Sequence, residues 1–153
     1  MTTLLALDIG GTKIGWGIVE AEDSFTVTER GSIPTLAAQG GADVAARICA
    51  LASELIESHP AITGIAVASA GVVDPATGTI VSATDIMPGW AGTKLGDLLS
   101  AHTQLPVRVL NDVHAHGLGE ATLGAGRPYR SVLSIAVGTG IGGAFVEDGR
   151  VAF

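Results

Sequence analysis

The sequence predicts an α/β fold, a mixed sheet flanked by helices, and three observations carry that expectation. Short apolar runs of strand length alternate with longer runs of helical period, in the order β-β-β-α-β-α-β-α. A glycine-rich turn that holds an acid and a base, Asp8-Ile9-Gly10-Gly11-Thr12-Lys13, hinges the first two runs. A near copy of that turn returns towards the end of the chain.

Residues 4–9 and 14–19 are apolar on both sides of the turn and read as adjacent strands. Residues 25–33 alternate with period two, which predicts a third, half-exposed strand that Pro34 ends. From Gly41 to about His59, the residues Val44, Ile48, Leu51 and Leu55 recur three or four apart on one helical face, and Pro60 closes the helix. Ile62 to Ala68 is too short for such a helix and is expected to be a strand buried on both faces. Asp74-Pro75 and Gly78 predict a hairpin turn. An irregular stretch, Met87-Pro88-Gly89-Trp90, precedes a helix over 94–102, a strand over 107–110 and a helix over 113–123 that Gly124 to Pro128 stops.

Sliding the chain on itself by 127 positions lays Gly11, Thr12, Ile14, Gly15, Val19 and Glu20 over Gly138, Thr139, Ile141, Gly142, Val146 and Glu147. This reads as a duplication in which Val132 to Val146 opens a second domain. Asp8 falls opposite Ile135 in that overlay and has no acidic counterpart.

Composition narrows the function classes. With 47% hydrophobic and 15% charged residues among 153, the chain can bury a core and is no disordered segment. A net charge of −7 with 8 scattered Lys and Arg gives no basic patch, so no nucleic-acid partner is expected. No apolar run reaches the roughly 20 residues that cross a bilayer, and the N-terminus lacks a signal-peptide pattern. A cytoplasmic protein with no membrane partner is expected. Cys49, the single cysteine, lies in an Ala/Leu-rich helical stretch and reads as a buried apolar residue.

The turn at Asp8 to Lys13 fits two readings by itself. Its glycines can bare backbone N–H groups to a phosphate, with Thr12 and Lys13 donating and Asp8, expected to be buried at the end of the first strand, holding Mg²⁺ through water; or it is a plain β-hairpin. Gly138-Thr139-Gly140-Ile141-Gly142-Gly143 matches G-x-G-x-x-G, yet a strand follows where a dinucleotide fold needs a helix, so a second phosphate-facing turn fits better. Asn111-Asp112 at a strand end offers a general base and a hydroxyl-binding amide, or a helix cap. His114 and His116, two apart, point away from one another on a helix and read as ordinary polar residues. Glu120 shares a helical face with Asp112 and either approaches that site or serves the structure. Met87 and Trp90 either cover a sugar face or pin their loop.

Four motifs in order, Asp8 to Lys13, Gly64-Ile65-Ala66-Val67-Ala68-Ser69-Ala70-Gly71-Val72-Val73-Asp74, Asn111-Asp112 and Gly138 to Gly143, resemble the ROK family of repressors, open reading frames and sugar kinases. The resemblance implies the ribonuclease H-like, actin-like ATPase fold, with residues 1–125 forming the N-terminal domain and 126–153 the beginning of a second. It implies an ATP-dependent kinase acting on a hexose or N-acetylhexosamine hydroxyl. Asp8, Gly10, Gly11, Thr12 and Lys13 then serve ATP phosphate and Mg²⁺, together with Gly138, Thr139, Gly140 and Gly142. Gly71, Asn111 and Asp112 bind the sugar, and Asp112 is the catalytic base. Family members usually carry Pro-Gly where this chain has Ala70-Gly71, and an asparagine near Thr84-Asp85, so sugar preference is left open.

Members of the family also run to about twice this length, a two-domain size. The Glu-x-Gly-His motif, a structural zinc site and the adenine pocket are therefore expected beyond Phe153. The expected partners are ATP, a small sugar and a second copy in a homodimer, and the 153-residue chain alone is expected to be inactive. Two other classes stay open. A sugar-responsive transcriptional regulator would carry a helix-turn-helix and bind DNA, and a non-catalytic assembly module would pair through the edges of its second hairpin.

Overall fold

The structure, a computed structural model, describes residues 2–22, 24–138 and 140–153. Its residues form two compact units, 1–110 and 111–153. The first is built on a five-stranded mixed sheet. Strands β1 (Thr2–Ile9), β2 (Lys13–Ala21) and β3 (Phe25–Pro34) make an antiparallel meander, and β4 (Ile62–Ser69) pairs parallel to β1. With β7 (Val107–Asn111) the order across the sheet is β3-β2-β1-β4-β7.

Period-two alternation decides which face of the sheet is covered. Leu5, Leu7 and Ile9 are buried, whereas Asp8, which alternates with them, is exposed on the other face. Two helices lend apolar side chains to the covered face. In α1 (Gly41–Ser58) these include Val44, Ile48, Leu51 and Leu55, the stripe that the sequence predicts; in α2 (Leu95–Thr103) they are Leu95 and Leu99. Gly41 lets α1 begin against the loop before Trp90, for a Cβ there would lie 2.5 Å from the Gly89 carbonyl oxygen.

The expectation that β4 is buried on both faces is corrected. Ile65 and Val67 are buried, but Thr63 and Ala66 between and beside them are exposed, because the helices cover one face only. The third strand is also barer than half-exposed, as befits a strand at the sheet edge. The expected hairpin is present as β5 (Val72–Asp74) and β6 (Thr79–Ser82). Its turn closes by Gly78 N–H donating to the Asp74 carbonyl at 2.8 Å, and the Asp74 carboxylate accepts from Thr77 Oγ1 and Ala76 N–H. Those bonds, the Thr77 hydroxyl foremost, hold the Asp74 carboxyl below its ordinary pKa.

The second unit packs α3 (Asp112–Thr122) on a three-stranded antiparallel sheet of β8 (Ser131–Val137), β9 (Ile141–Glu147) and β10 (Arg150–Val151). Gly117 gives the close approach: a Cβ there would meet the Ala144 and Ser134 side chains. Ala144 and Val146 are buried, while Leu133, Ile135, Val137 and Ile141 on the opposite face are 62–79% exposed.

The two hairpins are alike but not in register. In the first, Ile9 pairs with Ile14 and Asp8 with Gly15; in the second, Val137 pairs with Ile141 and Ala136 with Gly142. One residue fewer in the second turn slips β8 by one position. The structural counterpart of Asp8 is thus Ala136, not Ile135 as the gapless overlay has it. Leu5, Leu7 and Ile9, buried in the first unit, correspond to the exposed Leu133, Ile135 and Val137.

Candidate active site

The first unit gathers the predicted phosphate residues at the carboxyl end of β1. The expectation that Asp8 is buried is corrected: it is exposed, on the sheet face away from α1 and α2, because its neighbours Leu7 and Ile9 claim the core. Its cross-strand neighbours are small, Gly15 on β2 and Ala68 on β4. A Cβ on Gly15 would come to 3.7 Å from the Asp8 Cβ, an ordinary contact distance. Asp8 and Lys13 line an open groove of about 710 Å³ over this face, with Gly15, Ala68, Trp16 and Arg30. A larger groove of about 1060 Å³, between α1 and α2, is lined by none of the predicted site residues.

The turn itself is tightly bonded. Gly10 N–H donates to the Lys13 carbonyl at 3.0 Å. Neither Gly10 nor Gly11 has a positive φ; Gly11 is needed for room, since a Cβ would approach Ile86 Cγ2 to 2.9 Å. Thr35, just past β3, reaches the same turn: its Oγ1 donates to the Gly10 carbonyl at 2.7 Å and its N–H to the Thr12 carbonyl at 3.0 Å. Nothing in local sequence marks Thr35, whose contacts with the turn lie more than twenty positions away; a polar residue after a strand-ending proline is the whole signal.

Gly71 joins this end of the sheet because the preceding residue continues the β1–β4 ladder, Ala70 N–H donating to the Ile9 carbonyl at 2.9 Å. At φ +96° it adopts a backbone that other residues avoid, and a Cβ would lie 2.6 Å from the Ser82 carbonyl oxygen. The Trp90 indole N–H donates to Ser69 Oγ and the Ala70 carbonyl, both at 3.3 Å. Trp90 is 1% exposed. It pins the loop and covers no sugar face.

In the second unit Asn111 and Asp112 begin α3. Asn111 is its N-cap, Oδ1 accepting from Val113 N–H at 3.0 Å and His114 N–H at 3.2 Å. Asp112 Oδ1 accepts from Val113 N–H at 2.8 Å, so the carboxylate stands at the helix N-terminus. The cap reading holds for Asn111, and Asp112 shares the Val113 N–H with it. Gly142 lets Val113 lie against β9, where a Cβ would come within 2.9 Å of Val113 Cγ2. Gly138 N–H donates to the Gly140 carbonyl at 2.8 Å and shapes the second turn. Thr139 lies outside the described residues. Glu120 is far from any role beside Asp112: its carboxylate accepts from Ala125 N–H at 3.4 Å, at the other end of α3. The His114 ring stands edge-on to Phe153, its centroid 5.3 Å away.

Asp8 is a single exposed carboxylate, a donor set that suits a Mg²⁺ ion keeping its waters and sharing the phosphates of a nucleotide. Among the described residues no group of three or more His, Cys, Asp or Glu side chains is placed to hold a metal. Nor is any helix of the described residues long and apolar enough to cross a membrane.

The family model described as the ROK family matches residues 4–153. The chain belongs to the ROK family. It is similar to a glucokinase of Halalkalibacterium halodurans, 34% identical over 151 residues, 96% of this chain and 44% of that protein. Among solved structures it resembles a ROK hexokinase from Thermus thermophilus, with TM-score 0.84 and 30% identity over 99% of this chain and 49% of that one. A ROK family glucokinase from Streptomyces griseus in complex with glucose and AMPPNP matches with TM-score 0.82 and 29% identity, over 98% of this chain and 46% of that one. The chain spans about half the length of the curated relatives it matches. Its mixed sheet flanked by helices is that of ROK sugar kinases, the actin-like ATPase fold.

Proposed function

We propose that the protein is an ATP-dependent sugar kinase that phosphorylates a hydroxyl of a hexose or N-acetylhexosamine. One observation carries the reading: an exposed carboxylate, a glycine turn with Thr12 and Lys13, and the Gly71 loop meet at the adjoining ends of β1 and β4. In open α/β sheets ligands collect at the carboxyl ends of strands. Gly10, Gly11, Thr12 and Lys13 bind the ATP phosphates, with Gly138, Thr139, Gly140 and Gly142 of the second turn, and Asp8 serves the nucleotide through Mg²⁺. Gly71 and Asn111 bind the sugar.

Asp112 is the general base. Its carboxylate takes the proton of a sugar hydroxyl as that oxygen bonds to the γ-phosphorus and the bond to the bridging oxygen of ADP breaks. Asp8 would hold Mg²⁺ through water, and the ion would neutralise charge at the phosphates. The glucokinases and hexokinase among the relatives support this reading, as does the AMPPNP complex of one of them.

Residues 1–125 form the N-terminal domain in this reading, and 126–153 open a second. The bare apolar face of β8 and β9 supports the opening of a second domain, because the matching face of β1 is buried in the first unit. The remainder of the second domain, with any structural zinc, belongs to a longer protein, and the 153-residue chain alone turns over little or no ATP. That protein works as a homodimer in the cytoplasm, where ATP is at hand. The test is sugar-dependent ADP release by the intact protein across a panel of hexoses and N-acetylhexosamines. At least one sugar should stimulate release well above the sugar-free rate; equal rates with every sugar would defeat the reading.

A further inference from the structure

Thr35 is fully buried, one of three buried polar residues among the described residues, and each of its hydrogen-bonding groups is committed. Its hydroxyl donates to the Gly10 carbonyl, its N–H to the Thr12 carbonyl, and its own carbonyl accepts from Arg47 Nε at 3.3 Å. Arg47 is held in turn by Gln39, to whose Oε1 the Nη2 group donates at 2.7 Å. A chain of contacts therefore runs from α1 through Arg47 and Thr35 to both ends of the Gly11-Thr12 turn.

Peptide geometry gives that chain a consequence. In a planar trans peptide the N–H points opposite to the C=O. The Gly10 carbonyl shares its peptide with the Gly11 N–H, and the Thr12 carbonyl shares its peptide with the Lys13 N–H. Both carbonyls are drawn towards Thr35, so both amide hydrogens are turned away from it. The carbonyls on either side are engaged as well, Ile9 by Ala70 N–H and Lys13 by Gly10 N–H. The negative ends of four peptide dipoles are thus tied into the protein; the Gly10 N–H is spent inside the turn, and the Gly11 and Lys13 N–H groups are the two turned away from Thr35, as a backbone turn that binds an anion requires.

We infer that Thr35, backed by Arg47, is the positioning residue that gives the Gly10 to Lys13 turn its affinity for phosphate. The inference rests on reading that turn as the site of nucleotide phosphates. Thr35 touches no ligand itself. It acts by fixing two carbonyls, and loss of its hydroxyl frees the Gly10 carbonyl to rotate outward against an incoming anion.

The 153-residue chain, ¹⁵N-labelled, is titrated with Mg²⁺ and tripolyphosphate, and the amide signals of Gly11 and Lys13 are followed. Thr35→Val keeps the volume and removes the hydroxyl; Thr35→Ser keeps the hydroxyl. Removing the aim of charge-assisted bonds weakens tripolyphosphate about 10-fold or more in Thr35→Val. Thr35→Ser stays within about 2-fold of the wild type, a rescue that a purely space-filling role would not give. Should Thr35→Val not fold, Arg47→Gln replaces it, with a loss of about 2- to 5-fold. Binding by Thr35→Val or Arg47→Gln as tight as wild type, with unmoved Gly11 and Lys13 signals, overturns the inference alone. A wild-type chain in which tripolyphosphate leaves those two signals unmoved overturns the phosphate reading of the turn, and the inference with it.

Discussion

Replacing Gly71 by alanine should cost stability for two reasons that can be measured apart. At φ +96° an alanine is strained by about 1–2 kcal/mol. Its lower entropy in the unfolded chain returns about 0.5 kcal/mol. The new Cβ would also sit 2.6 Å from the Ser82 carbonyl oxygen and close to Ile80 and Ala83, an overpacking worth about 1–3 kcal/mol more. Gly92 is the control: its φ is +86°, and a Cβ there meets nothing within 4 Å. Gly71→Ala is expected to lose about 2–4 kcal/mol and Gly92→Ala about 1 kcal/mol. At ~2–4 °C per kcal/mol the melting temperatures should fall by roughly 5–15 °C and 2–4 °C. Thermal and urea unfolding followed by circular dichroism reads both. Equal losses in the two variants would refute the reasoning, because the close approach at Gly71 would then count for nothing.

Three further outcomes follow from named contacts. His59 binds Glu29 Oε2 through Nε2 at 2.9 Å and the Leu55 carbonyl through Nδ1 at 3.0 Å, and these bonds, Glu29 first, raise its pKa above 6.5. A raised pKa means stability present below pH 6.5 and lost as pH climbs through the folded value; Glu29→Gln should flatten that profile in urea titrations from pH 6 to 8.5. Asn111→Ala removes the α3 cap and should cost about 0.5–2 kcal/mol, seen as faster amide exchange in the first turn of α3. Trp90→Phe keeps an aromatic ring but loses the N–H that holds Ser69 and Ala70, and should destabilise by about 1–3 kcal/mol in urea unfolding.

What the sequence made legible was local. The apolar runs on either side of the first turn located β1 and β2, and the i, i+3, i+4 spacing of Val44 to Leu55 located α1 and its buried face; the burial expected for Asp8 was misplaced, because alternation with Leu7 and Ile9 turns it to the uncovered face. The glycine turn at Asp8 to Lys13 and the Asn111-Asp112 pair were visible because the residues of each adjoin in sequence. What escaped the sequence depends on partners far along the chain. Thr35 matters through a turn twenty-five positions earlier. Ala66 is exposed because no helix crosses that face of β4, a fact that its own apolar neighbours conceal. The one-residue slip of the second hairpin is set by turn length, which a gapless overlay ignores. Glu120 shares a helical face with Asp112, yet its carboxylate turns back to cap the loop after α3, a choice that face sharing does not decide.

The central claim is that Asp112 is the base of a sugar kinase. The direct measurement is phosphoryl transfer from ATP to the preferred sugar by the intact protein and by its Asp112→Asn variant, with sugar affinity measured alongside by calorimetry. The account predicts that kcat falls by about 10²- to 10⁴-fold while sugar still binds. A variant that phosphorylates sugar at the wild-type rate would contradict it.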